Sequence, residues 1–240
     1  MKPALRRRFF VIQTYNGRMT LSNISILFLG KADDAYCARA LAFCQERASN
    51  VTFCLGKWGD PLPENIRRWE GDVIVSYLSR WVVPADLLGR ARVAAINFHP
   101  APPEYPGIGC NNFALYEGSK EYGVTCHHMA PKVDTGAVVA VARFPVKDTD
   151  GVAEILEATY ECQIALFFEI ATLLVEGKPL PVSTETWTRP PFTRKQFNEL
   201  FIITPDMSRE EVARRVRAVS YLHWQPYVEI QGFRFEYKPK

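Results

Sequence analysis

The 240-residue chain has no apolar run near the ~20 residues that a membrane-spanning helix requires. The nearest stretch, Phe167–Val175, is interrupted by Glu169 and ended by Glu176, and no membrane partner is expected. Its six cysteines (Cys37, Cys44, Cys54, Cys110, Cys126, Cys162) include no Cys-x-x-Cys pair and no zinc spacing. Neither a disulfide scaffold nor a zinc module is therefore indicated. Cys44, Cys54 and Cys126 lie in apolar segments and read as reduced core thiols, which fits a cytoplasmic location. The chain has four histidines. The adjacent His127 and His128 have no nearby third ligand, so no metal is expected. After the first apolar run, Gly30–Lys31–Ala32–Asp33 lacks the remaining glycines of a dinucleotide fingerprint, which argues against a Rossmann-type nucleotide cofactor. Internal repeats and low-complexity segments are absent too.

Net charge is also scarce, with 29 Lys and Arg against 26 Asp and Glu. The first 18 residues hold five of those bases and no acid, leaving 24 against 26 in the remainder. A near-neutral body weighs against a large nucleic-acid footprint. Lys2, Arg6, Arg7 and Arg8 resemble the basic start of a signal peptide, but the apolar stretch after them ends at Gln13, too short for its core. Met19 is followed by Thr20–Leu21–Ser22 and then the first strand. Residues 1–18 thus read as an N-terminal tail or a misplaced start.

Hydrophobic residues make up 48% of the chain, ample for a core. Apolar runs at Asn23–Gly30, Val51–Leu55, Asp72–Tyr77 and Arg92–Phe98 read as buried parallel strands. They alternate with helical patterns, the first capped by Asp33 or Asp34 and a later one beginning near Pro84. The fold class is α/β: a Rossmann-like, mostly parallel sheet flanked by helices. Further elements are expected at Val124–His127 (strand), Asn111–Glu117 (helix, capped by Asn111), Ala137–Phe144 (strand) and Val152–Glu176 (a long helix with a wide apolar face). Composition shifts near Val182. Residues 19–182 read as the main domain and 183–240 as a small α+β extension. That extension holds a helix opened by a Ser208–Glu211 capping box and a hairpin, Tyr227–Ile230 and Phe233–Tyr237, turning at Gln231–Gly232.

The chemistry concentrates between Ile96 and Gly136. Asn97 and His99 sit two apart at the end of a strand, so both face one side. Ligands of parallel sheets gather beyond the carboxyl ends of the strands, and Asp134 lies in the tight turn Lys132–Gly136. An amide, an imidazole and a carboxylate there form a kit for acyl transfer. Asn97 can donate to an oxyanion, a contact typically worth ~3 kcal/mol of barrier. His99 can move a proton, and Asp134 can orient the imidazole, stabilise its charged form or relay a proton through water. Taken singly, a strand-end cap, a core histidine and a turn carboxylate would explain the same residues. His127 and His128 face opposite sides of their strand; one reaches the pocket, and His127 is read as support for it. Cys110 has no base paired with it in sequence, which argues against a nucleophile.

Asn97–Phe98–His99–Pro100, the proline-rich loop ending Tyr105–Pro106–Gly107, Gly123–Val124–Thr125–Cys126–His127 and Asp134–Thr135–Gly136 together resemble the formyltransferases that use N10-formyltetrahydrofolate. The resemblance covers roughly Ile24 to Leu174. It departs from the family pattern at Pro106, where Arg is usual, and at Ala101–Pro102–Pro103. It implies catalytic Asn97, His99 and Asp134, with no metal. It also implies a pterin held by the loop after the third strand (Tyr77, Leu78, Ser79, Arg80, Trp81, Val82) and by Val133. For Tyr77 and Trp81, core packing stands equally open.

The acceptor loop would present Pro102, Tyr105 and Gly107. The tail from Thr186 onward is similar to that of sugar N-formyltransferases, whose amine sits on a nucleotide-linked 4-amino-4,6-dideoxyhexose carried by dTDP or GDP. Trp187, Arg189, Arg194 and Lys195 would then meet the diphosphate and the base or sugar; a solvated basic surface explains them equally well. The expected activity is formyl transfer to such an aminosugar for surface polysaccharide synthesis, in a homodimer joined through the apolar hairpin face and without nucleic acid. Another small amine, hydrolysis of the formyl donor, or folate binding without turnover are the alternatives.

Overall fold

The structure is a computed structural model that describes residues 22–238. The tail assigned to residues 1–18, and Met19, lie outside the described residues. The chain runs β1 (Ser22–Lys31), α1 (Ala35–Arg47), β2 (Ala48–Gly56), α2 (Glu64–Arg67), β3 (Gly71–Tyr77), α3 (Ala85–Leu88), β4 (Ala91–His99) and α4 (Cys110–Glu117). It continues with β5 (Glu121–His128), β6 (Val138–Pro145), α5 (Val152–Val175), α6 (Arg194–Glu199), α7 (Arg209–Val219), β7 (Tyr227–Ile230) and β8 (Phe233–Glu236).

Six strands form one sheet in the order β2-β1-β3-β4-β5-β6. The first four are parallel, and β5 and β6 run antiparallel. Alternation in the central strands buries both faces. Ile26, Phe28, Val73, Val75, Ile96 and Phe98 pack under α1 and α5, whereas Leu27, Leu29 and Ile74 pack with Leu62, Ile66 and Leu87 on the other side. Each such side chain contributes ~1.5–3 kcal/mol of burial, so central strands of this composition have no stable exposed register.

Local chemistry sets the ends. The Asp34 carboxylate accepts from the N–H groups of Tyr36 and Cys37, capping α1. The α4 cap differs from the expectation: Gly109, at φ +71°, precedes the helix, while Asn111 lies within it. Asn112 donates to the Ala218 carbonyl at 2.7 Å and ties α4 to α7. At α7, Ser208 accepts from the Glu211 N–H, but the Glu211 carboxylate accepts from Arg215 and Tyr116, so the reciprocal half of the expected box is absent. The Thr193–Gln196 capping box of α6 was not anticipated; of its six residues only Arg194 and Lys195 were read, as candidate substrate contacts or a basic surface.

Helix α5 is long and apolar enough to cross a membrane by length and composition. Here its apolar face, including Ile164, Phe167, Ile170 and Leu174, lies in the core under the sheet. The chain beyond Val182 shares a core with the rest. Leu200, Phe201, Ala218 and Val219 pack with Tyr105, Phe113 and Leu115, and Phe192 bridges Gly107 in parallel. The hairpin forms as expected, with Gln231 and Gly232 both at positive φ in the turn.

Candidate active site

β4 delivers Asn97 and His99 to the rim at its carboxyl end. β5 then places His127 directly opposite Asn97 in antiparallel register, and directly opposed residues share a face. The Asn97 amide nitrogen lies 3.1 Å from His127 Nε2. The Asp134 carboxylate sits between the two rings, with Oδ2 3.3 Å from His99 Nδ1 and Oδ1 3.3 Å from His127 Nε2.

Backbone groups fix both tautomers. His99 Nε2 lies 3.0 Å from the Tyr105 carbonyl oxygen, and His127 Nδ1 lies 2.8 Å from that of His128; a carbonyl only accepts, so these ring nitrogens carry the proton. His127 Nε2 then accepts from the Asn97 amide, which keeps a second N–H for another acceptor. When either ring is protonated, its remaining nitrogen points at Asp134. One Asp134 oxygen serves each ring, so the three groups offer an ion no common centre. No grouping of His, Cys, Asp or Glu able to hold a metal occurs among the described residues.

Asp134 is buried and sits at φ +49°, a left-handed conformation that Asp tolerates better than most residues. Burial pushes its carboxyl up, but the facing His99 and His127 and the Gly107 N–H, which donates at 2.8 Å, outweigh that and hold it down to about 2. It is a carboxylate at neutral pH. His128, on the opposite side of β5, is half-buried and shifted down by burial and by His127.

The loop after β4 is held by its carbonyls. The Phe98 oxygen accepts from Gln163 Nε2 at 2.7 Å, the Pro100 oxygen from the Tyr122 hydroxyl at 3.0 Å, and the Ala101 oxygen from Thr125 Oγ1 at 2.7 Å. The Pro106 carbonyl accepts from the Phe192 N–H at 2.9 Å. Thr125 belongs to the Gly123–His127 motif, whereas Gln163 and Tyr122 lie outside it and no local motif marks them.

A cavity of about 410 Å³ opens in front of these groups. Asn97, His99, His127, Asp134, Gly107, Leu78, Ser79, Arg80, Trp81, Val82 and Val133 all line it, so the structure brings most of the anticipated site residues together. Leu78 is at φ +52°, a conformation that costs a non-glycine residue ~1–3 kcal/mol and recurs at ligand clamps. Tyr77 is a correction. It is fully buried among Phe28, Phe98 and Phe167, because the last residue of β3 points into the core rather than out of the rim.

Pro102 and Tyr105 are also buried. Pro102 lies beneath the loop surface, and Tyr105 acts through its backbone oxygen on His99. Trp187 and Arg189 line a second cavity of about 370 Å³, which shares Asp134 with the first. The Trp187 indole N–H donates to the Gly136 carbonyl at 2.8 Å, and its ring meets the edges of His99 and His127 at 5.7 and 5.0 Å. Arg189 is paired with Glu117. Cys110 Sγ lies 3.8 Å from His99 Nε2, but burial raises its thiol far above the ordinary range, so it is a neutral neighbour and not a nucleophile.

Residues 59–170 match the formyl transferase family. Over that stretch the chain is similar to a formyl transferase domain. Over 141 residues, 58% of the chain, it is 30% identical to the methionyl-tRNA formyltransferase of Pediococcus pentosaceus, of which that stretch makes up 40%. The chain spans less than half the length of that relative. A 4-N formyltransferase from Francisella tularensis superposes with a TM-score of 0.74 at 15% identity, over 91% of this chain and 98% of the other. The N-formyltransferase of Helicobacter canadensis, solved in complex with folinic acid and dTDP-3-aminofucose, superposes with a TM-score of 0.69 at 15% identity, over 88% and 86%. Asn97, His99, His127 and Asp134 all fall within the matched stretch, whereas Trp187 and Arg189 fall beyond it.

Proposed function

We propose that the chain transfers the formyl group of N10-formyltetrahydrofolate to the primary amine of a nucleotide-linked aminosugar, a dTDP- or GDP-4-amino-4,6-dideoxyhexose. The observation that carries this reading is the convergence of Asn97, His99 and Asp134 on one cavity, within a stretch similar to a formyl transferase domain. The Helicobacter canadensis neighbour binds folinic acid and dTDP-3-aminofucose, which supports the donor and acceptor classes.

In the reaction the amine nitrogen attacks the formyl carbon, and the free N–H of Asn97 stabilises the oxyanion. The new C–N bond forms and the bond to N10 breaks. The proton leaving the amine passes to His99 Nδ1, where Asp134 faces it, and from there to N10. Asp134, held as a carboxylate, stabilises positive charge on the amine and the ring. Because His127 touches both Asn97 and Asp134, we assign it to fixing their relative position. Backbone groups of Leu78–Val82 and Val133 would hold the pterin.

The apolar hairpin face carries Ile230, Phe233 and Phe235, 52%, 70% and 56% exposed. We place the homodimer contact there, since a lone hairpin is only marginally stable. Free cysteines, four of them buried, accord with a cytoplasmic enzyme making an N-formylated sugar for a surface polysaccharide such as lipopolysaccharide O-antigen. A second reading, transfer to an aminoacyl-tRNA, draws on the 30% identity to methionyl-tRNA formyltransferase.

The test is incubation with N10-formyltetrahydrofolate and a panel of nucleotide-linked aminosugars, charged initiator tRNA and buffer alone, followed by mass spectrometry of each acceptor. Addition of one CO to an aminosugar supports the assignment. Formylated tRNA, or formate released at the same rate with no amine present, overturns it.

A further inference from the structure

The cavity in front of Asn97 continues to a part of its wall that formyl transfer itself does not use. Trp58, in the turn after β2, lines it and is 70% exposed. A large indole left in water beside a cavity is a ready surface for a flat ring. Arg194, at the start of α6, lies over one face of that indole, its guanidinium 5.9 Å from the Trp58 ring and 5.5 Å from that of Phe197. Phe197 is packed so tightly on Gly109 in the cavity wall that a side chain at Gly109 would strike its ring, which anchors α6 and with it Arg194. Among the described residues, no carboxylate pairs with Arg194, whereas Arg189 is occupied by Glu117. Arg80 adds positive charge to the same cavity, Lys31 there being paired with Asp34, and among the described residues the sole carboxylate lining it is the buried Asp134.

We propose that Trp58 and Arg194 form a nucleotide clamp for the acceptor, the base stacking on the indole and the guanidinium meeting the diphosphate. This rests on the nucleotide-linked acceptor of the preceding section. It moves the base from Trp187, whose ring and N–H are both engaged at the Asp134 turn, to the mouth of the main cavity. Trp58 and Arg194 both lie outside residues 59–170, the stretch matched to the family. Trp58 directly abuts that stretch, and Arg194 lies well beyond it, in the part of the chain where formyltransferases differ with their acceptors.

Isothermal titration of the full chain with dTDP, UDP and GDP, without donor or amine, tests the clamp separately from turnover. One of the three should bind, Trp58→Ala should weaken it about tenfold, and Trp58→Phe should keep most of the affinity. Arg194→Gln should weaken it several-fold, while the KM for N10-formyltetrahydrofolate stays unchanged in all three variants. Thermal melts confirm that these surface variants fold. The clamp is overturned if no nucleoside diphosphate binds, if Trp58→Ala binds as tightly as the parent, or if that variant raises the donor KM instead. A protein that binds a nucleoside diphosphate through Trp58 yet formylates no aminosugar keeps the clamp and sinks the acceptor reading.

Discussion

Gly136 and the backbone carbonyl of His128 are packed so closely that no side chain fits between them. The same oxygen accepts from His127 Nδ1, and the Gly136 carbonyl accepts from the Trp187 indole. The glycine of the Asp134 turn is thus the point where that turn touches the end of β5. Gly136→Ala must push either the turn carrying Asp134 or the carbonyl that orients His127. Overpacking of this kind costs about 1–3 kcal/mol. The expected result is a drop in Tm of several degrees together with a fall in kcat of at least tenfold, read from a thermal melt and steady-state kinetics.

The carboxylate between the two histidines has a signature in acid. Its folded-state value of about 2 lies below the ordinary 3.8, so the charged form is favoured by folding. The contribution, about 2 kcal/mol, is fully present above pH ~4 and is lost as the pH falls through about 2. Urea unfolding of the parent between pH 5 and 2 should show stability falling with acid, and Asp134→Asn should flatten that slope. The same variant should lose about a hundredfold or more in kcat, since neither ring then faces a negative charge. An unchanged acid slope would mean that the carboxylate is not held by the rings.

Gln163 acts at a distance along the chain. Its amide donates to the Phe98 carbonyl, one residue before His99, from a fully buried position in α5. Gln163→Leu keeps the volume but leaves that carbonyl without its donor, at a cost of ~1–3 kcal/mol. We expect lower stability in urea and a reduced kcat, with the KM for both substrates little changed. Gln163→Glu, which cannot donate when ionised and places a charge in the core, should be worse on stability.

How far these relationships could be read from the chain differs by kind. The parallel strands were legible because continuous apolar runs have no other stable placement. Asn97 and His99 were legible as a pair because the strand period fixes their common face. The role of His127 depends on which residue of β5 lies opposite Asn97, and register is not written in either strand alone. Tyr77 was ambiguous for a related reason: a strand's last residue can point to either side of the rim, and only the packed ring of Phe167 decides. The packing of Trp187 against His99 and His127 was not legible because the route of the chain after Val182 follows from its pairing with Gly107, a contact between segments 85 residues apart.

The loop that follows β3 is held by an indole and a glycine. The Trp81 ring lies directly on Gly56, leaving no room for a Cβ, and its N–H donates to the Asp60 carbonyl at 2.8 Å. Gly56→Ala should lift the ring, because an aromatic side chain on a loop moves more readily than the end of a parallel strand in a packed sheet. The loop Leu78–Val82 would follow, and with it the backbone groups assigned to the pterin. The expected outcome is a KM for N10-formyltetrahydrofolate raised about tenfold, with a smaller effect on the acceptor KM. Trp81→Phe, which keeps the ring over Gly56 and loses only the hydrogen bond, should fall between the parent and Gly56→Ala. If Gly56→Ala instead leaves the donor KM unchanged while its melt shows an intact fold, the pterin does not rest on this loop, and Val133 and the Asp134 turn become the place to look for it.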